Sequence, residues 1–416
     1  MNALHDVAQT MIKNVLAENM PEASVVNALG NHDFANKNIY LVAIGKAAWT
    51  MANAASKYLG DKIKKGIVIT KYDHSMGEIP RIEIFEAGHP TLDENTVTAT
   101  KKAIELVSNL TEEDEVLFLV SGGGSALFEA PLEGVTLFDL AQLNNEMLAS
   151  GADIVEINMI RKRLSSVKAG RFASISHPAT VYSVVLSDVL GDRLDTIASG
   201  PAVPDESTTD DALKVVEKYN LLLTGKQKEY LQLETPKVVE NVETVVTGSV
   251  KSLCNSAAKT ARELGFEPYV LTTTLNCEAS EAGRFLASIA ADTLEGVNYF
   301  KKPCAIIAGG ETVVNLKGTG LGGRNQEIAL SAATGIAGLD DVMIFSLGSD
   351  GTDGPTDAAG GVVDGNTVSM LKEKGLDVSE ILANNDAYHG LKAVDGLIVT
   401  GPTGTNVNDV SIILCK

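Results

Sequence analysis

The sequence predicts an α/β protein of two domains, each built on a mostly parallel sheet flanked by helices. Short runs of apolar, β-branched residues alternate with longer segments of helical periodicity, which is typical of βα units whose sheets are covered on both faces. At 416 residues the chain is too long for one ordinary core. The alternation weakens between Leu221 and Glu243, where charged and turn-prone residues surround Pro236. We therefore expect one domain at 1–235 and a second at 236–416.

Nine segments are predicted as strands, because each is a short apolar run bounded by glycine, proline or polar residues. In chain order they are NIYLVAIG (38–45), KGIVIT (65–70), EVLFLVSG (115–122), TVYSVVLSD (180–188), VETVVTG (242–248), EPYVLTTT (267–274), PCAIIAGG (303–310), VMIFSLGS (342–349) and GLIVTG (396–401). Several of them end in a glycine-containing turn. Open α/β sheets bind ligands beyond the carboxyl ends of their strands, so these turns are where we expect the chemistry.

Charge excludes one class of partner. The chain carries 34 Lys and Arg against 54 Asp and Glu, a formal charge of −20, and this negative field repels phosphate backbones. Nucleic acid is therefore not expected as a partner. An anionic small molecule would need a local group of cationic side chains and backbone N–H groups, which makes lysines and arginines beside glycines informative.

The sequence predicts a cytoplasmic protein without a membrane segment. Its first 20 residues have helical spacing and lack the apolar core of a signal peptide, and no apolar run approaches the roughly 20 residues that cross a bilayer. The cysteines form no C-x-x-C pair, so reduced, buried thiols are expected in place of a zinc module or disulfides. They are Cys254, Cys277, Cys304 and Cys415. The sequence leaves open whether the protein forms a homo-oligomer.

The stretch LVAIGKAAWTMA places Gly45 and Lys46 between a strand and a helix. It is not a Walker loop, since Tyr40 stands where that pattern needs glycine and Ala47 where it needs serine or threonine. What remains is a lysine in the first turn of a helix, where N–H groups and the ammonium together could hold a carboxylate or phosphate. A surface lysine directed into solvent is the alternative.

The stretch LFLVSGGGSALF follows its strand with Ser121, Gly122, Gly123, Gly124 and Ser125. Three consecutive glycines permit left-handed backbone conformations that turn several N–H groups inward, as in an anion-binding nest. A tight strand-to-helix turn without a ligand is the alternative.

Two further stretches supply a carboxylate and an arginine. Asp188 follows a buried strand, where it could orient a hydroxyl, act as a base or bind Mg²⁺ through water; a capping aspartate is the alternative. Gly322 and Gly323 end a glycine-rich loop that we expect to be mobile, and it leads to Arg324 and Asn325 at the start of a helix. A planar guanidinium suits charge developing on a transferred phosphoryl group, whereas a solvated arginine at a hairpin tip is the alternative.

Aspartates and amides occupy the last two glycine-rich loops. Asp350, Asp353 and Asp357 do not have EF-hand spacing, but one or two of them could bind Mg²⁺ that carries nucleotide phosphates. They could equally form Asx-turns. Asn408 lies in the loop TGPTGTNVNDV, which leads to a tenth predicted strand, VSIILC (410–415). It would suit either a turn or a ribose or phosphate.

Two hydrolase classes are excluded by missing motifs. The six histidines show no H-E-x-x-H or other zinc-ligand spacing, and SGGGSALF does not supply G-x-S-x-G. His89, in EAGHPTLDENT, lies in a loop before a helical run, where a substrate contact and a structural role are both open.

Taken together, the motifs resemble the glycerate kinases that contain a MOFRL segment. The resemblance covers nearly the whole chain, with AIGKAAWTMA, EAGHPTLDENT, LVSGGGSAL, NMIRKRLSSVKAGRFA, LSDVLGDRLDTIASGP, GGETVVNLKGTGLGGRNQE, SDGTDGPTDAAGGVVD and TGPTGTNVNDV in order. It implies a Rossmann-like N-terminal domain, a MOFRL segment at about 303–410, and an active site in the cleft between the domains. It also implies ATP and Mg²⁺ as cofactors and phosphorylation of a hydroxyl of D-glycerate, for which the 2-position is favoured by the archaeal members.

The resemblance makes Lys46 and Arg324 active-site residues, with the arginine closing from the other domain. In the resulting hypothesis the glycine-rich turns, including Gly45, cradle anionic oxygens, and Asp188 orients or deprotonates the glycerate hydroxyl. Asp350 or Asp357 helps to hold the metal. An NAD(P)H-dependent hydroxypyruvate reductase is the alternative, although the G-x-G-x-x-G turn that binds a dinucleotide is missing. A non-catalytic sensor of a phosphorylated acid is the second alternative.

Overall fold

The computed structural model describes residues 3–187, 189, 191 and 193–416. They form two compact units: the first is Ser24–Thr247, and the second combines Met1–Ala23 with Gly248–Lys416. Both contain a six-stranded sheet flanked by helices, which confirms the predicted α/β class.

The elements of the described residues are numbered in chain order. The strands are β1 Asn38–Ile44, β2 Ile63–Lys71, β3 Ile82–Ala87, β4 Asp114–Val120, β5 Thr180–Leu186, β6 Val242–Gly248, β7 Glu267–Leu275, β8 Cys304–Gly310, β9 Val342–Gly348, β10 Gly360–Asp364, β11 Leu397–Ile398 and β12 Asp409–Cys415. The helices are α1 Ala3–Glu18, α2 Pro21–Gly30, α3 Ala48–Leu59, α4 Glu94–Val107, α5 Gly124–Leu127, α6 Leu137–Ala149, α7 Ile154–Leu164, α8 Arg171–Ser176, α9 Thr209–Lys218, α10 Gly225–Leu231, α11 Val250–Glu263, α12 Ala279–Glu295, α13 Arg324–Gly335, α14 Thr367–Glu373, α15 Val378–Ala383 and α16 Ala387–Ala393. Two 3₁₀ turns lie at Gly60–Lys62 and Ile197–Ser199.

The sheet of the first unit has the order β3-β2-β1-β4-β5-β6. β1 pairs in parallel with both β2 and β4, and β4 pairs in parallel with β5. Leu41 and Ala43 of β1 pack with α3 on one face, whereas Val42 and Ile44 pack with α4 on the other. Burial on both faces explains why these strands are continuous apolar runs.

The strand order reverses between β1 and β4, the topological switch point at which doubly wound sheets bind their ligands. The two loops that leave the carboxyl ends of these neighbours are Gly45 with Lys46 and Ser121 to Ser125. The fold therefore brings the first two predicted motifs to one place.

The sheet of the second unit has the order β11-β10-β9-β12-β8-β7, and its pairing is mixed. β7 and β8 are parallel, but β12 is antiparallel to both β8 and β9, and β10 is antiparallel to β9 and β11. This sheet is therefore mixed, where the sequence pattern predicted a mostly parallel one. Four of its strands do point the same way, but the two strands that return between them, β10 and β12, make most of the pairings antiparallel.

Two strands were absent from the prediction. β3 has the sequence IEIFEA, in which glutamates interrupt the apolar residues, and β10 has the sequence GGVVD, which is short and begins with glycines. β3 forms a strand because it pairs with β2, and β10 because it pairs with β9. A local sequence pattern does not reveal such pairing.

The compact units differ from the predicted division at 235. Strand β6 belongs to the first sheet because it pairs with β5, which carries that unit on to Thr247. Helix α1 belongs to the second unit, where Lys259 of α11 forms an ion pair with Glu18 at 2.7 Å. A sequence pattern cannot show that the first helix packs against a segment more than two hundred residues later.

Three of the four cysteines are buried, as expected, but Cys277 is exposed; all four are free thiols. Among the helices of the described residues, none combines the length and apolarity required to span a bilayer.

Candidate active site

Lys46 lies at the switch point of the first unit, directly after β1. Gly45 before it has φ +108°, and a Cβ on Gly45 would lie 2.3 Å from Oγ of Ser121. Only glycine fits this turn, because both the conformation and the close approach exclude a side chain. The Lys46 side chain is exposed, while its backbone N–H donates to the carbonyl of Gly122 (2.9 Å).

Ser121 joins the loops after β1 and β4. Its buried hydroxyl accepts a hydrogen bond from the N–H of Ala47 and donates to the carbonyl of Ile44, both at 3.1 Å. The hydroxyl is thus engaged within the protein and fixes the start of α3. A ligand role for Ser121 stays a prediction.

The three glycines bend the loop after β4 into a concave turn. Gly123 is left-handed, with φ +86°, and the four-residue helix α5 starts immediately after it. Within the described part of the chain, the N–H groups of Gly122, Gly123 and Ser125 have no hydrogen-bond partner. They have the character of the predicted anion-binding nest.

His89 lies beside this turn. Its imidazole and Cγ of Lys46 are 3.0 Å and 3.3 Å from the position that a Cβ on Gly123 would occupy. Partial burial and the positive charge of Lys46 lower the pKa of His89, so the ring is held toward its neutral form. The position beside Lys46 supports the ligand-contact interpretation that the sequence left open.

Two basic residues donate hydrogen bonds to the backbone of the same turn. Neither was among the predicted site residues. Lys168 and Arg161 donate to the backbone carbonyl of Ser125, at 2.9 Å and 3.3 Å. Both residues belong to the basic segment NMIRKRLSSVKAGRFA. The spacing of its lysines and arginines does not indicate which of them lie at the site.

Arg324 begins α13 in the second unit and contacts two carboxylates. Its Nη1 donates to Glu311 at 2.7 Å, and its Nε lies 2.6 Å from Asp409. Burial by itself lowers the pKa of Arg324, but these carboxylates raise it on balance above its ordinary value. Burial raises the pKa of Asp409 to about 6, although Arg324 acts in the opposite direction.

Asn325 is held at the first turn of α13 by Asp353. Both its backbone N–H (3.1 Å) and its side-chain amide (3.3 Å) donate to Oδ1 of Asp353, and the N–H of Gln326 donates to Oδ2 (2.9 Å). Ser346 donates to Oδ1 of Asn325 at 2.6 Å. These buried contacts give Asn325 a structural role, so its ligand role stays a prediction.

The glycine loop before Arg324 is anchored, which corrects the expectation of a mobile loop. The N–H groups of Lys317 and Gly318 donate to the Asn385 side chain, at 2.7 Å and 3.0 Å, and the N–H of Leu321 donates to Asp386 at 2.9 Å. A Cβ on Gly323 would lie 2.3 Å from Cγ of Asp353. The glycines are required for close backbone approach, with Gly322 packed near Ala387.

The predicted metal residues take different positions. Asp350 is half-buried and accepts the N–H of Thr352 at 3.0 Å, which is an Asx-turn, whereas the exposed Asp357 accepts the hydroxyl of Tyr388 at 2.8 Å. Across the described residues, no three or more His, Cys, Asp or Glu side chains are grouped to hold a metal ion. Their assignment as metal ligands stays a prediction.

Asn408 and Asp188 complete the predicted set. Asn408 is buried and left-handed, with φ +63°, and its carbonyl accepts the N–H of Ser349 at 3.0 Å. Asp188 lies outside the described residues. The structure thus gathers the predicted residues into two groups, one around Lys46 in the first unit and one around Arg324 in the second.

Comparison with known proteins gives matches over both units. Residues 4–232 match a family described as a domain of unknown function (DUF4147), and residues 304–409 match the MOFRL family. A D-glycerate 2-kinase from Thermotoga maritima is 53% identical over 99% of this chain and 98% of its own. A glycerate 2-kinase from Pyrococcus horikoshii is 43% identical over 90% of this chain and 87% of its own.

A solved structure gives the same result. The crystal structure of a glycerate kinase from Thermotoga maritima superimposes with a TM-score of 0.97 at 52% identity, and the match covers 100% of both chains. These similarities confirm the resemblance that the motifs predicted. The chain therefore belongs to the MOFRL-containing glycerate kinase family.

Proposed function

We propose that this protein transfers the γ-phosphoryl group of ATP to D-glycerate and forms 2-phosphoglycerate. The observation that carries the proposal is the near-complete match to a D-glycerate 2-kinase, together with the lysine and glycine turns at the switch point of the first sheet. Phosphoryl transfer asks little covalent chemistry of the protein; it needs in-line positioning and positive charge around the moving group.

In this proposal the residues around Lys46 supply both the positioning and the positive charge. The ammonium and the unpartnered N–H groups of Gly122, Gly123 and Ser125 offer donors to anionic oxygens of the substrate or the phosphoryl group. His89, whose pKa is lowered, adds a neutral donor or acceptor beside them. In this proposal Asp188 orients or deprotonates the glycerate hydroxyl.

Arg324 supplies a second cation. Its guanidinium is held by Glu311 and Asp409 and is about one-third exposed, so it keeps surface available for phosphate oxygens. A functional link between the two groups is tested by the double variant Lys46→Met with Arg324→Gln. If both act on one transferred group, the double variant loses far less kcat than the product of the single losses.

Mg²⁺ is the proposed metal, brought in with ATP and held with the help of Asp350 or Asp357. Oδ1 of Asp350 and Oδ1 of Asp409 each lie 3.4 Å from the position of a Cβ on Gly348, so carboxylate oxygens gather at the end of β9. Asp350, at this strand end, fits a hard cation that takes one or two carboxylates and keeps its waters. When bound, Mg²⁺ would neutralise charge on the β- and γ-phosphate oxygens.

The proposal is tested by ³¹P NMR of the product formed from ATP, Mg²⁺ and D-glycerate. We expect the resonance of 2-phosphoglycerate and stoichiometric ADP. The resonance of 3-phosphoglycerate would overturn the regiochemistry. Failure to form ADP, or steady NADH oxidation with hydroxypyruvate, would overturn the kinase.

Lys46→Met tests the role of the lysine. We expect kcat to fall at least a hundredfold, because the cation at the nest is lost. Lys57→Met is the control, since Lys57 is an exposed lysine in the last turn of α3, the helix that begins two residues after Lys46, and it should keep its turnover.

A further inference from the structure

Helix α5, which carries Ser125 of the glycine turn, is too short to be stable by itself. It has four residues, Gly124–Leu127, and an isolated helix of this length does not form in water. Its last carbonyls have no donor further along the helix, so they need partners from elsewhere. Whatever supplies those partners also fixes the turn at its start.

Lys168 is that partner. Its ammonium donates to the carbonyls of Ser125 (2.9 Å), Phe128 (3.1 Å) and Ala198 (3.4 Å), which matches its three N–H groups to three acceptors. A cation at this end of the helix also complements the negative end of its dipole. Lys168 thus caps α5 and ties it to the 3₁₀ turn that contains Ala198.

That 3₁₀ turn is itself strained and tightly packed on α5. Ala198 and Ser199 are left-handed, with φ +51° and +61°, which costs energy in residues other than glycine. A Cβ on Gly124 would lie 2.9 Å from Cβ of Ala198, and Ser199 donates to the hydroxyl of Ser125 at 3.4 Å. The lysine therefore holds together two segments that would not keep these conformations alone.

Burying the charged ammonium of Lys168 in the protein interior is energetically unfavourable. The side chain is fully buried, and the one carboxylate within ion-pair distance among the described residues is the buried Glu129, at 3.5 Å. Burial lowers the pKa of Lys168 to about 8, although Glu129 raises it. Replacing such a buried pair by apolar side chains is often neutral or stabilising, so the charge on Lys168 is not required merely to fill this part of the core.

We infer that Lys168 is a positioning residue for phosphoryl transfer, acting by capping α5 and so fixing the N–H groups of the glycine turn toward an anionic oxygen. The inference rests on the proposed function, because it assigns the turn to substrate or phosphoryl binding. Within the residues that the structure describes, the polar partners of the Lys168 ammonium are backbone carbonyls and Glu129, so the role assigned to it is positioning and not proton or phosphoryl transfer.

The test separates positioning from stability. Lys168→Met leaves the Glu129 carboxylate buried without its partner, so both the melting temperature and kcat/KM for D-glycerate should fall. Adding Glu129→Gln removes that stranded charge. We expect the double variant to regain most of the melting temperature, while kcat/KM stays at least tenfold below the unmodified protein.

The control is Lys162→Met, which removes a buried lysine of the same basic run that pairs with Asp205 at 3.5 Å and not with α5. It should keep kcat/KM within about threefold. Hydrogen exchange of residues 122–128 gives a readout independent of turnover, and it should be faster in the double variant than in this control.

Recovery of both melting temperature and kcat/KM in the double variant would show that Lys168 serves stability alone and would overturn the inference. If the Lys168 variants do not fold, Arg161→Met decides, because Arg161 donates to the same Ser125 carbonyl at 3.3 Å. Unchanged kcat/KM there would also overturn the inference. Absence of phosphoglycerate with the unmodified protein would instead refute the proposed function.

Discussion

Asp353 caps the helix that Arg324 begins, with its Oδ1 lying 3.1 Å from the amide nitrogen of Asn325. The cap comes from the loop after β9, whereas the residue directly before the helix is Gly323, which has no side chain to offer. Arg324 is therefore placed by a carboxylate 29 residues further along the chain. This relationship makes the group around Arg324 depend on the packing of two loops.

Asp353→Ala should destabilise the protein by about 1–2 kcal/mol, because two N–H groups of α13 lose their acceptor. Urea unfolding followed by circular dichroism measures this loss, and kcat should fall with it. Asp340→Ala, at an exposed aspartate just before β9, is the control and should unfold like the unmodified protein. Equal midpoints for the two variants would contradict the capping role.

Gly323→Ala should cost roughly 1–3 kcal/mol and most of the activity, because its Cβ would lie 2.3 Å from Cγ of Asp353. Its φ of −146° is ordinary, so only the close approach opposes alanine. Gly225→Ala is the matched control: it starts α10 with nothing within 4 Å, and it should be neutral or slightly stabilising. Thermal unfolding and kcat distinguish the two; a tolerated Gly323→Ala would refute the packing argument.

The buried carboxyl of Asp409 should make the free energy of unfolding depend on pH. Its pKa is raised by burial to about 6 in the folded protein, so the folded state holds this proton more tightly than the unfolded state. The stabilising contribution is therefore complete below about pH 4 and is lost as the pH rises through 6, at roughly 3 kcal/mol or less.

The measurement is the difference in free energy of unfolding between the unmodified protein and Asp409→Asn from pH 4 to 7. It should decline across this range. Arg324→Gln should move the decline to higher pH, because Arg324 lowers the pKa of Asp409. A flat difference would show that Asp409 is ionised throughout.

Asp350→Asn should raise the Mg²⁺ concentration for half-maximal activity at least tenfold, because it removes a carboxylate beside Gly348. Asp357→Asn should have a smaller effect, since Tyr388 already donates to that carboxylate. Activity titrated with Mg²⁺ at saturating D-glycerate and ATP measures both. An unchanged requirement in Asp350→Asn would remove Asp350 from the metal site.

Much of the first unit could be predicted because its strands are continuous apolar runs joined to helices, which are local signals. The meeting of Gly45 and Lys46 with the Ser121 turn also follows from sequence, once two strands that end in glycine turns are placed in one parallel sheet. The mixed pairing of the second sheet could not be predicted in this way. Alternating apolar residues look alike whether β12 enters parallel or antiparallel.

The sequence by itself determined which residues are candidates for the chemistry, because a lysine or arginine beside glycines in an acidic chain is where an anionic ligand could be held. Only the tertiary structure decided how those residues are held. Asp353 reaches α13, Asn385 anchors the glycine loop, and Lys168 caps α5. Each of these contacts joins residues 27 to 68 positions apart, and two of the residues, Asp353 and Lys168, are ionisable side chains buried where polarity predicts exposure. A hydrogen bond across such a separation depends on how the intervening chain folds, which no local pattern encodes.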